Sequence, residues 1–459
     1  MKSVRSLAAG AALVAIAAGW SGAALAQETV TVWFTKGFYK GEDDALLAVV
    51  DKFQKATGVK VDLSLYATED CVTKSVGAVQ AGTPPDVGFC TTYDFRTTGQ
   101  WAFEGKLEDV SDVLEPLKAQ IQPQALATTL LMNDKTKKKA YYAFPVQQQM
   151  MHITYWKDML EEAGFKESDI PKGWDGYWDF WCDKVQGALR AKGKRIYAVG
   201  HPMGVAASDT FYSFLTFANA FNAKVVDENG KIVLDEPANK AAMVKAVKDY
   251  SNIAQRGCTP PSSVNWLDPD NNVAFHNRTT VLTHNATISI AAKHLDDMNN
   301  QALTQEQRDQ AKKNYYDNIR TAEFPNKPDG SPMTNLAAVK TAVVFADGKN
   351  KKRGKEFMAF MMKDENLRPF VEGSVGRWFP TTIEAAKAEF WTGADPHRKI
   401  VYKQYTDGTV PFQFVYNYKF TTVNAENVWA KAVNRVVQDK ISPEQAVDEM
   451  IARIKQIAG

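Results

Sequence analysis

The chain has 459 residues, 45% of them hydrophobic and 24% charged, with 55 Lys+Arg against 53 Asp+Glu. Such a length and composition belong to an ordinary globular protein with two domains and sizeable cores. A charge balance this close to neutral gives no reason to expect nucleic acid or an anionic membrane as a partner.

Lys2 and Arg5 open the chain, an apolar run 7–20 follows, and small residues close on Ala24-Leu25-Ala26 before Gln27. This is the layout of a secretory signal peptide, and the run is too short and wrongly flanked for a stable membrane span. Residues 1–26 are therefore expected to be removed on export, which leaves 53 basic residues against 53 acidic ones. No cysteine follows the cleavage site to carry a lipid. No later stretch is apolar and long enough to span a bilayer, so the mature chain is expected in the periplasm.

The mature start reads strand, loop, helix, strand. Residues 30–34 are β-branched and aromatic, 35–41 form a loop, and Leu46, Val49, Val50 and Phe53 have helical spacing. Gly58 ends that helix, and 59–65 alternates as a strand. A second helix, 72–81, stops at Gly82-Thr83-Pro84-Pro85, and Asp86 to Phe89 begin a third strand. Strand–helix–strand repetition with short connections predicts a parallel, doubly wound α/β sheet. Ligands of such sheets sit outside the carboxyl ends of the strands. That places Lys36, Phe38 and Tyr39, Glu69-Asp70, and Tyr93-Asp94 on a common cleft edge.

A second unit begins after Phe144-Pro145, with a strand at 151–155, helices at 157–164 and 177–191, and a strand at 196–200 ending at His201-Pro202. Helices are predicted at 210–221 and 238–255, a solvated helix within 299–314, and an amphipathic helix at 443–458 with Ser442 as N-cap and Pro443 first. Lys137 to Lys139 and the cluster 349–355 read as solvated basic surface. The four cysteines form no C-x-x-C pair, and in an oxidising compartment an even number reads as disulfides. Four cysteines allow three connectivities; the preferred one joins Cys71 to Cys90 and Cys182 to Cys258, one bridge in each lobe.

Several segments then occur in a telling order: Val30-Thr31-Val32-Trp33, Ala81 to Val87, Tyr142 to Val146, Tyr155 to Leu160 with Ala163-Gly164-Phe165, and Pro171 to Asp175. Ala274-Phe275 before Thr279 to Leu282, Phe379-Pro380, and Ser442 to Ala446 complete the series. In these the chain resembles the extracellular solute-binding proteins of family 1, the sugar-binding receptors of ABC importers, of which maltose-binding proteins are examples. The resemblance implies two doubly wound α/β lobes joined by a three-segment hinge, with crossings near Val146, His284 and Ala346. The lobes would be 27–146 plus 285–345 and 147–284 plus 346–459. It also implies a sugar-like ligand, a membrane permease as partner, a monomer, and neither cofactor nor metal.

Each candidate site residue has a plainer reading beside it. Gln147, Gln148 and Gln149 can satisfy the hydroxyls of a sugar, or else be a hydrogen-bonded hinge strand. Asp94 can accept sugar hydroxyl hydrogens while Tyr93 stacks on the ring. Asp70 reads first as a cap for the helix near Val72. His284-Asn285 stands where the family commonly carries Asn-Gly, and Thr287 where it carries tryptophan; His284 bonds ligand or tethers the crossing backbone. His201 after its strand, with Phe211-Tyr212 on the next helix resembling the family's aromatic-lined part of the second lobe, and Trp266 with Asp268, are further cleft candidates. Arg377-Trp378 is the most specific oddity, because a guanidinium fork suits an acidic sugar, or else a lobe-to-lobe salt bridge. Phe211, Trp174, Trp178 and Trp181 read as core packing.

The different-class alternative is a secreted glycoside hydrolase with paired carboxylates; a receptor of the same fold for a non-sugar ligand is another. The sequence contains no nucleophile elbow, no paired-histidine zinc helix and no glycine-rich phosphate loop. Asp268 to Asn272 lacks the glycine and closing glutamate of a calcium loop.

Overall fold

The computed structural model describes residues 27–459; the signal peptide expected at 1–26 lies outside them. The opening unit forms as its residue pattern dictates. Strand β1 (Thr29–Thr35) alternates buried and half-buried residues. Helix Lys40–Thr57 turns Leu46, Val49, Val50 and Phe53 inward and ends at Gly58, whose φ of 71° suits a residue without a Cβ. Strands β2 (Lys60–Tyr66) and β3 (Val87–Phe89) pair with β1 on its opposite sides, both in parallel, because helical crossovers return the chain to the same end of the sheet before each strand starts.

The remaining strands are β4 (Leu130–Asn133), β5 (Lys138–Tyr141), β6 (Phe144–Gln149), β7 (His152–Trp156), β8 (Tyr197–Gly200), β9 (Thr280–Asn285), β10 (Ile319–Ala322), β11 (Asn335–Val344), β12 (Phe379–Pro380) and β13 (Thr409–Pro411). One sheet runs β12-β6-β11-β3-β1-β2 with β13 on β11, and a second runs β10-β7-β9-β8. Neither is wholly parallel as expected. β11 lies antiparallel to both β3 and β6, and β7 is antiparallel to β9 and β10. The cause is connectivity. β6 carries the chain from the first sheet toward the second and β11 carries it back, so the two run in opposite directions.

Packing divides the chain differently from the expected lobes 27–146 plus 285–345 and 147–284 plus 346–459. β10 belongs to the second sheet. Phe357, Met358 and Met361 of helix Lys351–Met361, with Trp378, Trp391 and Val401, join the first core. The second core takes Phe412, Phe420, Trp429 and the closing helix Pro443–Ala458, whose Ser442 caps Gln445 N–H as predicted. The periodicity of Lys351–Met361 is the same whichever sheet it covers, so only tertiary contact assigns it.

The cysteines join as Cys71–Cys90 and Cys182–Cys258, closing 19- and 76-residue separations. The first ties helix Thr68–Gln80 to the end of β3, and the second ties helical residues 180–185 to the segment beside β8. Loop-closure entropy scales with the logarithm of loop length, about 3 kcal/mol for the shorter loop and about 4.5 for the longer. Replacing both cysteines of the 182–258 bridge by serine is therefore expected to lower the unfolding midpoint more than the same change at 71–90, measured by urea titration without reductant.

Candidate functional site

Where the two sheets face each other, the site begins with one lysine. Lys340 lies in β11 among alanines, valines and threonine, and its side chain is 1% exposed. Its ammonium stands 3.2 and 3.3 Å from the two oxygens of Asp94, in the one-turn helix Tyr93–Arg96 that follows β3. It donates at 2.7 Å to the Tyr212 hydroxyl, which in turn donates to Asp94 at 3.2 Å. Tyr212 comes from the other side, on helix Ser208–Ala220. Beside it Phe95 stacks on Phe211 at 4.6 Å, so aromatic faces exclude water from the ion pair. Burial pushes the Asp94 carboxyl up and the Lys340 ammonium down, and each partner opposes the shift of the other.

A second corner forms on the first lobe. Arg377 Nη1 reaches the two oxygens of Glu42 at 3.2 and 2.9 Å, and its guanidinium covers the Phe38 ring at 3.5 Å and Trp378 at 4.6 Å. Lys36, Gly37, Gln147, Arg377 and Trp378 line a cavity of about 20 Å³ there. Glu42 sits in the helix after β1, and Trp378 packs in the first core, so this pair is internal to one lobe rather than a lobe-to-lobe bridge. Burial raises the Glu42 carboxyl, and Arg377 holds it down. The Nε of Arg377 is buried without a partner. A cavity of about 940 Å³ lies elsewhere between the lobes and touches this constellation only at Asp94.

The second lobe contributes a wall of amides and carboxylates. Asp268 accepts from Ser208 Oγ at 2.5 Å and from the Asp209 N–H at 3.0 Å. Asn271 donates to Asp209 at 3.2 Å and to Asn285 at 2.7 Å, and Asn285 donates on to Asn272. Burial, then the charge of Asp268, drives the Asp209 carboxyl well above its usual range. Trp266 is buried and donates to Ser262 at 3.1 Å; its carbonyl approaches so close to Gly204 that a Cβ there would sit 1.9 Å away. From the facing lobe, Tyr39 donates its hydroxyl to the Ser289 carbonyl.

Several expected ligand contacts are placed elsewhere. His201 and His284 are fully buried inside the second lobe. His201 Nε2 lies 2.9 Å from the Tyr250 carbonyl, which can only accept, so the ring carries its proton there. Its Nδ1 then accepts from His284 Nε2 at 2.8 Å, and His284 Nδ1 accepts from Ser213 at 2.9 Å. This is a neutral structural chain, with burial pushing His284 down to about 3. Tyr93 is buried in the small core around Cys71–Cys90, bonded to Ser75. Asp70 is exposed in the first turn of a helix that starts at Thr68, so it caps nothing. Gln148 donates to Gln122 and the Pro380 carbonyl, as a hinge strand would, and Gln149 is buried beside it. Lys340, Glu42, Asp209 and Asn271 were not singled out from the sequence, and Tyr212 only as part of an aromatic lining, not as a partner of a buried charge. Lys340 did carry a signal: one charge in the apolar stretch Leu336 to Phe345 must be paired if that stretch is a buried strand.

Two outcomes follow. Lys340→Met should destabilise the protein by about 3–5 kcal/mol, because it strands the buried Asp94. Adding Asp94→Leu should recover most of the loss in urea titrations, whereas independent sites would give additive losses. The histidine chain should make the protein acid-sensitive. The unfolded state binds protons below 6.5 and the folded state resists to about 3, so stability falls as pH drops through that window. His284 alone contributes a loss of roughly 2 kcal/mol by about pH 5. A His284→Gln variant should show a flatter dependence of urea midpoint on pH.

Residues 48–400 match the family model described as bacterial extracellular solute-binding protein. The arabinooligosaccharide-binding protein of Bacillus subtilis (strain 168) is 22% identical over 315 residues, which is 66% of this chain, and the chain spans 64% of that relative's length. An ABC transporter solute-binding protein from Thermotoga lettingae TMO, solved with alpha-D-tagatose, superposes with a TM-score of 0.75 at 20% identity, over 94% of this chain and all of the other. A sugar transporter from Arthrobacter chlorophenolicus A6 with laminaribiose superposes at 0.73 and 14% identity, over 94% and 100%. At these identities the likeness establishes the two-lobe α/β fold.

Proposed function

The chain belongs to the bacterial extracellular solute-binding proteins, and from that premise we propose that it captures a carbohydrate or sugar derivative between its lobes and delivers it to the membrane permease of an ABC importer. The observation that carries the reading is the Asp94–Lys340–Tyr212 contact, where polar groups of both lobes converge on one dry point. The wall around it is rich in carboxylates and amides, which accept and donate to hydroxyl groups. The ligands named for the relatives, an arabinooligosaccharide, tagatose and laminaribiose, are of this chemistry.

Charge decides between neutral and acidic sugars. Glu42 neutralises Arg377, Asp94 neutralises Lys340, and Glu69 binds Arg96 at 2.7 Å. The guanidiniums are already committed, while Asp209 and Asp268 have no cationic partner within ion-pair distance among the described residues. A neutral polyhydroxylated ligand therefore suits the wall better than an acidic one. Lys36, Gln147, Arg377 and Trp378 would meet it from the first lobe, and Asp209, Asp268 and Asn285 from the second.

In this reading the protein works in the periplasm after loss of residues 1–26, as a monomer, and returns its ligand intact. No helix among the described residues is long and apolar enough to cross a membrane. Ligand that touches both lobes binds the closed arrangement best, and its differential affinity shifts the population. Saturating a panel of neutral sugars should raise the unfolding temperature with at least one of them, by about 2.7 kcal/mol of stabilisation at a concentration of about 100 Kd. Solution scattering should show a smaller radius of gyration with that sugar bound, and chromatography should recover it unchanged. No stabilising sugar, or a sugar consumed, would sink the proposal.

A further inference from the structure

The chain has six histidines, and four of them are accounted for by their hydrogen bonds. His152, His201, His284 and His397 each give at least one ring nitrogen to a partner at 2.6–2.9 Å. His276 and His294 do not fit that pattern. His294 is only 8% exposed, yet neither of its nitrogens has a partner among the described residues, and Nδ1 of His276 is likewise buried and unpartnered. Buried polar groups are paired in the great majority of cases, so an imidazole orphaned at both nitrogens calls for a bound species that supplies the contacts.

The two rings belong to different helices, His276 to the end of Asp270–His276 and His294 to the middle of Ser289–Asn299. Their centroids are 5.1 Å apart, with the ring planes at 73°. Two imidazoles that share one tetrahedral ion, each with a nitrogen about 2.0–2.1 Å from it, have centroids about 5 Å apart. Asn272, one turn before His276, donates to Ser289 Oγ at 3.1 Å and fixes the approach of the helices. The charges nearby suit a divalent cation. Asp297 lies one turn beyond His294 on the same helix, and its charge acts on His276. It holds Lys293 at 2.7 Å, in an i,i+4 contact whose lysine is 46% exposed, a weak pair in water. Arg278 lies over Trp156 at 4.3 Å and is committed to Asp158 at 2.6 Å. Burial holds both rings neutral, His276 down to about 4 and His294 to about 3, so neither has a proton to release before a nitrogen can coordinate.

We propose that His276 and His294 are the nitrogen ligands of a transition-metal site of the zinc or copper(II) class, with Asp297 as its oxygen ligand and water completing the shell. Imidazole favours these ions, whereas magnesium and calcium take oxygen ligands. As the side chains stand, no three such ligands converge among the described residues, and Asp297 joins by releasing Lys293. Helix Ser289–Asn299 lies where the two cores meet, with Ile290 in the second and Ala291 in the first. An ion on the histidine pair therefore fastens the helix that carries Asn271 and Asn272 to the boundary between the lobes. The site is separate from the sugar-facing wall and does not depend on what that wall binds.

The test is calorimetric titration of the untagged mature protein, first stripped with a chelator, with zinc chloride and separately with copper(II) chloride. One ion per chain is expected, with a higher unfolding temperature in zinc and no response to magnesium. His276→Gln and His294→Gln should each weaken zinc binding by about tenfold or more. Lys293→Ala frees Asp297 and removes a positive charge, so it should strengthen binding severalfold. Electron paramagnetic resonance of the copper-loaded wild-type protein should show coupling to two imidazole nitrogens, which identifies the ligands even where a variant fails to fold. No binding, undiminished binding in both glutamine variants, or a copper spectrum without nitrogen coupling would overturn the site. Unchanged or weaker binding in Lys293→Ala would overturn Asp297 as its oxygen ligand.

Discussion

An ammonium group removed from water must be matched, and Lys340 is removed almost completely. The effective cost of burying one such ion is several kcal/mol, and attraction to a partner offsets it only where hydrogen bonds complete the geometry. Here Asp94 supplies the charge and Tyr212 the remaining bond. Because Lys340 stands on β11 and Asp94 on the short helix that follows the neighbouring β3, while Tyr212 comes from the helix of the other lobe, the requirement to satisfy this ion draws the lobes together at that point. The stacked Phe95 and Phe211 keep water out and so strengthen the interaction that they surround.

The rest of the interlobe region is arranged around that constraint. β6 and β11 pass side by side in opposite directions, which puts Gln147 directly across from Lys340. Gln148, bonded to Gln122 and to the Pro380 carbonyl, fastens the hinge strand, while Gln147 borders the small cavity. On the far side, the histidine chain from Tyr250 through His201 and His284 to Ser213 stiffens the second lobe beneath Asn271 and Asn285. These histidines support the wall from behind. The same burial that makes them good spacers makes them poor proton carriers, with their protonated forms strongly disfavoured.

Charge pairing gives the cleft its selectivity in the proposed reading. An arginine next to two aromatic rings invites the expectation of an anion site, and Arg377 has that setting. Glu42, thirteen residues after the start of β1 and distant in sequence, takes up its charge. A guanidinium so held can still present its Nε edge, but as a hydrogen-bond donor within a neutral pair.

Local pattern was enough to place most of the elements. The helix after β1, its glycine stop, the tryptophans of the second core and the Ser442 cap all depend on residues near one another in sequence, where spacing and side-chain shape decide the outcome. The family resemblance added the two-lobe plan, and the favoured cysteine pairing is the one present. The sequence did not determine which strands run antiparallel, which sheet the helix Lys351–Met361 covers, or which polar residues meet. Tyr93 and His201 looked like cleft residues because they follow strands, and the structure turns both into cores. Lys340, Asp94 and Tyr212 become one site only when segments 118 to 246 residues apart are folded together. Pairing of buried charge is a non-local condition: it is satisfied by whichever groups the completed packing brings within hydrogen-bond distance, and a linear pattern holds no record of that distance.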